Sequence, residues 1–194
     1  MVTEGGSMIL IGLAGKKLAG KDTAGSYLVE EHGFTRLSFA APLKESFAAL
    51  FNVPVEYIEK YKSHPAAIVR LDTPDGAHHS MTLRVALQRY GTEAHREIPG
   101  FGAAVWTDML FRLLPEDGRF VITDSRFDNE CGRVLEAGGI VVYIDRDTGD
   151  DTDTHASEQK PTNIDFTIEN NGTLGELHDA LDGLVDKLEM KEDA

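Results

Sequence analysis

Between two apolar stretches the chain places Gly15-Lys16-Lys17-Leu18-Ala19-Gly20-Lys21-Asp22-Thr23, a spacing of glycines and lysine suited to holding phosphate. The segment fits G-x-x-x-x-G-K, directly after the run Met8–Leu13 and directly before a stretch of helix formers. Glycines at Gly15 and Gly20 let the backbone curl, so that N–H groups from Lys16, Lys17 and Ala19 converge on phosphate oxygens. The helix start behind them adds its partial positive charge. Lys21 supplies a mobile cation for the β- and γ-phosphates of a nucleotide. The pattern usually continues with a Ser or Thr whose hydroxyl ligates magnesium. Here Asp22 stands there and the hydroxyl is displaced to Thr23. Asp22 is therefore read as a magnesium partner through water, and Thr23 as a contact for the α-phosphate.

A second set is Thr123-Asp124-Ser125-Arg126, at the carboxyl end of a predicted strand. Ligands of open parallel sheets lie outside those ends. Asp124 can hold magnesium through water there, or it can cap a helix; Arg126 can reach a phosphoryl group. A third set, Leu87-Gln88-Arg89-Tyr90-Gly91-Thr92-Glu93-Ala94-His95-Arg96, mixes amides, acids and arginine. Gln88 and Glu93 can hydrogen-bond a base edge and Arg96 can pair bidentately with a monophosphate, although the composition equally suits a solvated helix. Arg36, Lys44, Lys62 and Arg70 read individually as surface bases, and His78-His79 has no third metal ligand at useful spacing.

The elements that must position these residues alternate. Strands are predicted at Met8–Leu13, Phe34–Phe39, Arg119–Thr123, Ile140–Asp145 and Phe166–Glu169. Helices are predicted over 21–32, Leu43–Phe51, around Val55–Tyr61, and over 83–96, 103–114 and 128–137. Ile68–Leu71 and Ser80–Leu83 flank Thr73-Pro74-Asp75-Gly76 and read as a small hairpin. A last helix carries Leu174, Leu177, Leu181, Leu184, Val185 and Leu188 on one face, opened by a Thr173/Glu176 capping box. Such alternation predicts an α/β domain with a mainly parallel sheet.

The composition, 41% hydrophobic and 27% charged over 194 residues, is that of a folded domain. Its net charge of −14 argues against nucleic-acid polymers and anionic membranes as partners. The charge is uneven: residues 147–194 hold 14 acids and 3 bases, whereas residues 1–146 hold 19 acids and 16 bases. The phosphate-binding body is close to neutral, so local cations can act on an anionic ligand at short range. The single Cys131 excludes an internal disulfide and a cysteine zinc cluster. With no secretory leader and no long apolar run, the expectation is a cytoplasmic protein.

Taken together, GKKLAGKDT (15–23), LSFAAPLKE (37–45), LQRYGTEAHRE (87–97), VITDSRFDNE (121–130), THASE (154–158) and DFTIENNGT (165–173) resemble the phage-type deoxynucleoside monophosphate kinases of the adenylate-kinase-like P-loop group. The likeness runs from Ile9 to about Leu188. Animal-type phosphomevalonate kinases look similar over several of these segments, but the 87–97 stretch favours the nucleotide kinase. The resemblance implies a P-loop NTPase-type parallel five-stranded sheet, order 2-3-1-4-5, in a single domain with core 8–41, 119–145 and 164–190. It also implies an acceptor-binding insertion at about 42–102 and a short lid at about 146–163. The implied reaction moves the ATP γ-phosphoryl group to a deoxynucleoside monophosphate with Mg2+, giving the diphosphate and ADP; the implied state is a homodimer. Gly15, Gly20, Lys21, Asp22 and Thr23 would bind ATP and magnesium, with Asp124 as second magnesium partner. Arg96 and Arg126 would hold acceptor or transferring phosphate. Gln88 and Glu93, with Lys44, Arg70, Gly91 and Thr92, complete the acceptor set. Arg146 would stand at the lid hinge, His155, Ser157 and Glu158 in its body, and Asn170 and Asn171 beside the adenine. Two other readings remain at this point: a phosphomevalonate-type kinase, and a noncatalytic nucleotide-binding adaptor. The chain lacks an [NT]-K-x-D guanine-reading motif, which counts against the latter.

Overall fold

In the computed structural model β1, Met8–Ala14, is buried along nearly its whole length, as a near-continuous apolar run at the centre of a parallel sheet must be. The structure describes residues 8–72, 76, 78–91, 102, 104–147, 149 and 160–192. Two compact units are present, one of residues 1–39 with 113–194 and one of residues 40–112.

The first unit holds β1, α1 (Lys21–His32), β2 (Thr35–Leu37), β5 (Gly118–Ile122), α6 (Asp128–Glu136), β6 (Ile140–Asp145), β7 (Phe166–Glu169) and α7 (Leu174–Glu192). Its five strands pair in parallel in the order β2-β5-β1-β6-β7. Counting only these five along the chain, that is the expected 2-3-1-4-5. Ile9, Ile11 and Leu13 join Leu28 of α1 and Leu177, Leu181, Leu184 and Val185 of α7 in one core cluster. On the opposite face α6 packs against β1 and β6.

The α7 capping box forms as expected: the Thr173 N–H donates to Glu176 Oε2 at 2.6 Å and the Glu176 N–H to Thr173 Oγ1 at 3.3 Å. The Thr173 N–H and the Thr173 hydroxyl, which also donates to Oε2 at 3.0 Å, hold the Glu176 carboxyl below its usual range. Leu174, expected on the apolar stripe, is exposed, because it sits in the opening turn before the helix meets the sheet. Tyr27 Oη donates to Asp182 Oδ1 at 2.8 Å, tying α1 to α7, and this bond pushes the phenol up to about 12.

Strand β2 is shorter than the predicted Phe34–Phe39. The Phe34 N–H is drawn onto the Leu28 carbonyl behind the left-handed Gly33, while Ser38 and Phe39 turn their donors to Asp124.

The second unit comprises α2 (Ala41–Phe51), α3 (Val55–Tyr61), β3 (Ile68–Asp72), β4 (His78–Thr82), α4 (Leu83–Gly91) and α5 (Val105–Arg112). The predicted hairpin is present, antiparallel, with Ile68 opposite Thr82 and Asp72 opposite His78. Phe47, Ala48, Ile58, Ala67, Leu83 and Ala86 form its core. Helix α4 is described to Gly91; the predicted continuation to 96 lies outside the described residues. Among the described residues no helix is long and apolar enough to cross a membrane.

Candidate functional site

The sheet register brings the first set of candidates to one edge. Gly12 of β1 and Leu37 of β2 both align with Ile122 of β5, so residues 15–20 after Ala14, 38–39 and 123–126 leave the sheet at its carboxyl end. Ala14 aligns with Tyr143, and Asp145 with Glu169, so residues 146–147 and 170–171 leave at the same edge. That is where ligands of open parallel sheets lie.

Within the loop two glycines are required by geometry. Gly15 has φ 149°, and a Cβ there would lie 2.6 Å from the Ile144 carbonyl oxygen. Gly20 has φ 104°, and a Cβ there would lie 2.4 Å from Asn170 Nδ2. Between them the Ala19 N–H bonds the Lys16 carbonyl, which closes the turn, and Lys17 and Leu18 are exposed. Lys21, only 8% exposed, folds its ammonium back over the loop and donates to the carbonyls of Gly15 at 2.5 Å and Lys16 at 2.7 Å. Helix α1 starts at Gly20 without a side-chain cap, so its opening N–H groups are offered to an anion by the backbone alone.

Asn170, expected beside the adenine, also has a task within the loop itself. Its side chain is 7% exposed, and Nδ2 donates to the Ala19 carbonyl at 2.8 Å, buttressing the loop. Asn171 Oδ1 accepts the Asp147 N–H at 2.8 Å, beside the exposed Arg146. Replacing Asn170 by Ala leaves a buried carbonyl without its donor and is expected to cost about 1–3 kcal/mol. Urea unfolding measures it, and a midpoint equal to that of the unsubstituted chain would show that the bond contributes nothing.

Asp22 is exposed and ion-paired with Arg36, whose Nε also donates to Thr123 Oγ1 at 3.1 Å. Arg36, which reads in the sequence as an isolated surface base, therefore joins the start of α1 to the end of β5. Thr23 is exposed beside Asp22. Asp124 accepts the Phe39 N–H at Oδ1 (2.9 Å) and the Ser38 hydroxyl at Oδ2 (2.7 Å). Arg126 is exposed, and its backbone N–H is held at 2.8 Å by Oε2 of the buried Glu130, which also accepts the Phe127 N–H. Glu130 fixes the base of the Arg126 side chain. Nothing in local composition marks it, because its role depends on the turn into α6.

A magnesium ion takes one or two carboxylates and fills its other positions with water and substrate phosphate oxygens. Asp22 and Asp124 are hard oxygen donors at the same sheet edge, and their chemistry fits such an ion. Among the described residues no group of three or more His, Cys, Asp or Glu could hold a metal alone.

The second unit has a groove of about 310 Å³. Lys44, Lys62, Arg84 and Gln88 line it together with Leu43 and Leu87. Gly91 also borders it, and its carbonyl accepts the Trp106 Nε1–H at 3.0 Å. Gln88 and Lys44 were expected at an acceptor site; Lys62 and Arg84 were not, since a single base carries no signal until helices α2, α3 and α4 gather several. Arg70 is exposed on β3, opposite Ser80, and does not line the groove. Thr92, Glu93 and Arg96, and His155, Ser157 and Glu158 of the expected lid, lie outside the described residues.

Residues 75–181 match the model of the family described as deoxynucleotide monophosphate kinase. A protein of Acanthamoeba polyphaga mimivirus bearing the same family name is 36% identical over 194 residues, covering 92% of this chain and 97% of the mimivirus protein. Among solved structures, a shikimate kinase from Acinetobacter baumannii aligns with 94% of this chain and 93% of its own, at 15% identity and a TM-score of 0.45. A gluconokinase from Sinorhizobium meliloti aligns with 96% and 97%, at 14% identity and a TM-score of 0.43.

Proposed function

This chain belongs to the deoxynucleotide monophosphate kinase family and is a nucleotide kinase, and from that premise we propose that it transfers the γ-phosphoryl group of ATP to a deoxynucleoside monophosphate. The observation that carries the donor half is the loop 15–23, with Lys21 folded over it at the carboxyl edge of the sheet. Backbone N–H groups of the loop hold the β- and γ-phosphates, and Lys21 exchanges its carbonyl partners for phosphate oxygens. Asp22 and Asp124 would hold Mg2+, which supplies charge neutralisation between the phosphates.

The acceptor half is assigned to the groove of the second unit. Its volume suits a ligand of mononucleotide size. Lys44, Lys62 and Arg84 face the acceptor phosphate, Gln88 a base edge, and the two leucines an apolar ring face. Arg126 and Arg96 serve the transferring or acceptor phosphate. An acceptor phosphate is already nucleophilic near neutral pH, so these residues position and stabilise charge rather than move protons. No histidine is needed as a base. A homodimer, implied by the family likeness, and a cytoplasmic setting, expected from the sequence, are part of the same proposal. The phosphomevalonate and adaptor readings are not favoured by the family match.

The test is a panel: purified protein, ATP and Mg2+ with dAMP, dCMP, dGMP or dTMP, and phosphomevalonate as competitor. Formation of ADP and a deoxynucleoside diphosphate with at least one acceptor is expected. Turnover of phosphomevalonate alone, or of none, overturns the proposal.

A further inference from the structure

The groove residues Lys44 and Lys62 share one partner that is not among the groove's lining residues, the carboxylate of Glu59 on α3. Lys44 Nζ donates to Oε1 at 2.5 Å and Lys62 Nζ to Oε2 at 2.6 Å, so each oxygen holds one ammonium. Lys62 is a near neighbour in sequence, but Lys44 comes from α2, 15 residues away. Burial raises the Glu59 carboxyl's pKa, but the hydrogen bonds from Lys44 and Lys62 outweigh it and hold the group below its usual range. Its charge is therefore present throughout the neutral range.

We propose that Glu59 is a positioning residue for the acceptor phosphate, fixing the two flexible ammonium groups on the groove wall so that they meet the phosphate already ordered. This rests on reading the groove as the acceptor site. Two physical arguments carry it. A lysine is a point charge on a long flexible stem, and freezing two of them at once upon binding reduces affinity unless something has ordered them beforehand. The charge balance also fits: three cations with one carboxylate leave about two positive charges, the complement of a phosphomonoester that is nearly a dianion at neutral pH. The Lys62–Glu59 pair has both side chains more than a third exposed and contributes little to stability, whereas Lys44, 17% exposed, also ties α2 to α3 through Glu59, so the melting temperature is read beside the kinetics to separate positioning from packing.

The experiment compares Glu59→Gln, the Lys44→Ala/Lys62→Ala double variant and the triple variant in the full chain, with each of the four deoxynucleoside monophosphates as acceptor. Glu59→Gln is expected to raise acceptor KM about tenfold, while ATP KM and kcat at saturating acceptor stay within about twofold and the melting temperature is nearly unchanged. In the Lys44→Ala/Lys62→Ala background the same change adds nothing further, since the carboxylate acts only through the lysines. If the lysine double variant leaves acceptor KM unchanged, the groove is not the acceptor site and both readings fall. If the lysine variant raises it and Glu59→Gln does not, Glu59 alone is overturned. A Glu59→Gln variant whose melting temperature drops while acceptor and ATP KM move together is a structural defect and also overturns it.

Discussion

Replacing Lys21 by alanine is expected to lower kcat/KM by about 10³-fold, within a chain that still folds. Lys21 folds directly over the glycine-rich loop, 8% exposed, with its ammonium on the carbonyls of Gly15 and Lys16. By the proposed mechanism, alanine removes the charge that meets the transferring phosphoryl group, where charge develops. It also leaves two loop carbonyls without that donor, a cost of about 1–3 kcal/mol that a domain with an extensive sheet core tolerates. Lys21→Arg keeps the charge but replaces a compact ammonium by a planar fork, so it is expected to recover the fold more fully than the rate. Steady-state kinetics, a thermal melt and the calorimetric affinity for ATP together read the result. Activity within tenfold of the unsubstituted chain would remove Lys21 from the chemistry.

The second large effect belongs to Asp124, which has two separable tasks. Its carboxylate holds the Ser38 hydroxyl and the Phe39 N–H, and by the proposed mechanism it is a magnesium partner. Asp124→Ala is expected to lower turnover about 10²-fold or more and to destabilise the chain by about 1–3 kcal/mol, because both tasks are lost. Asp124→Asn retains a carbonyl acceptor for one of the two donors, so most stability survives, while the Mg2+ concentration for half-maximal rate rises. Ser38→Ala removes one hydrogen bond and leaves the Mg2+ dependence as it was. A titration of rate against Mg2+ for the three variants decides the matter. An Asp124→Asn variant with unchanged Mg2+ dependence would reduce Asp124 to a clamp on the end of β2.

What the sequence made legible is what is local. The glycine and lysine spacing of 15–23, the capping box at Thr173 and Glu176 and the hairpin around residues 68–82 each depend on neighbours a few residues away. The sheet order was available only through likeness to a family, since periodicity says nothing about which strand lies beside which. Long-range partnerships were out of reach. Asn170 reaches Ala19 across 151 residues of chain, and its asparagine side chain suits a base edge as well as a buried carbonyl. Arg36 and Lys62 carried no signal, because a basic residue becomes informative only when the fold sets Asp22 or Glu59 against it. Leu174 has the right period for the core stripe but falls in the first turn, where the helix has not yet reached the sheet. Similarly, Ser38 and Phe39 have strand-like alternation, but the Asp124 carboxylate takes the Phe39 N–H that a strand would have used and binds the Ser38 hydroxyl beside it.

The central claim is phosphoryl transfer from a nucleoside triphosphate to a mononucleotide phosphate, and label transfer tests it most directly. With γ-labelled ATP, Mg2+ and the best unlabelled deoxynucleoside monophosphate of the panel, label should appear in the β-phosphate of the new diphosphate, equimolar with ADP. With Lys21→Ala it should appear there about 10³-fold more slowly. Label released only as inorganic phosphate, or left in ATP with every monophosphate tried, would contradict the account.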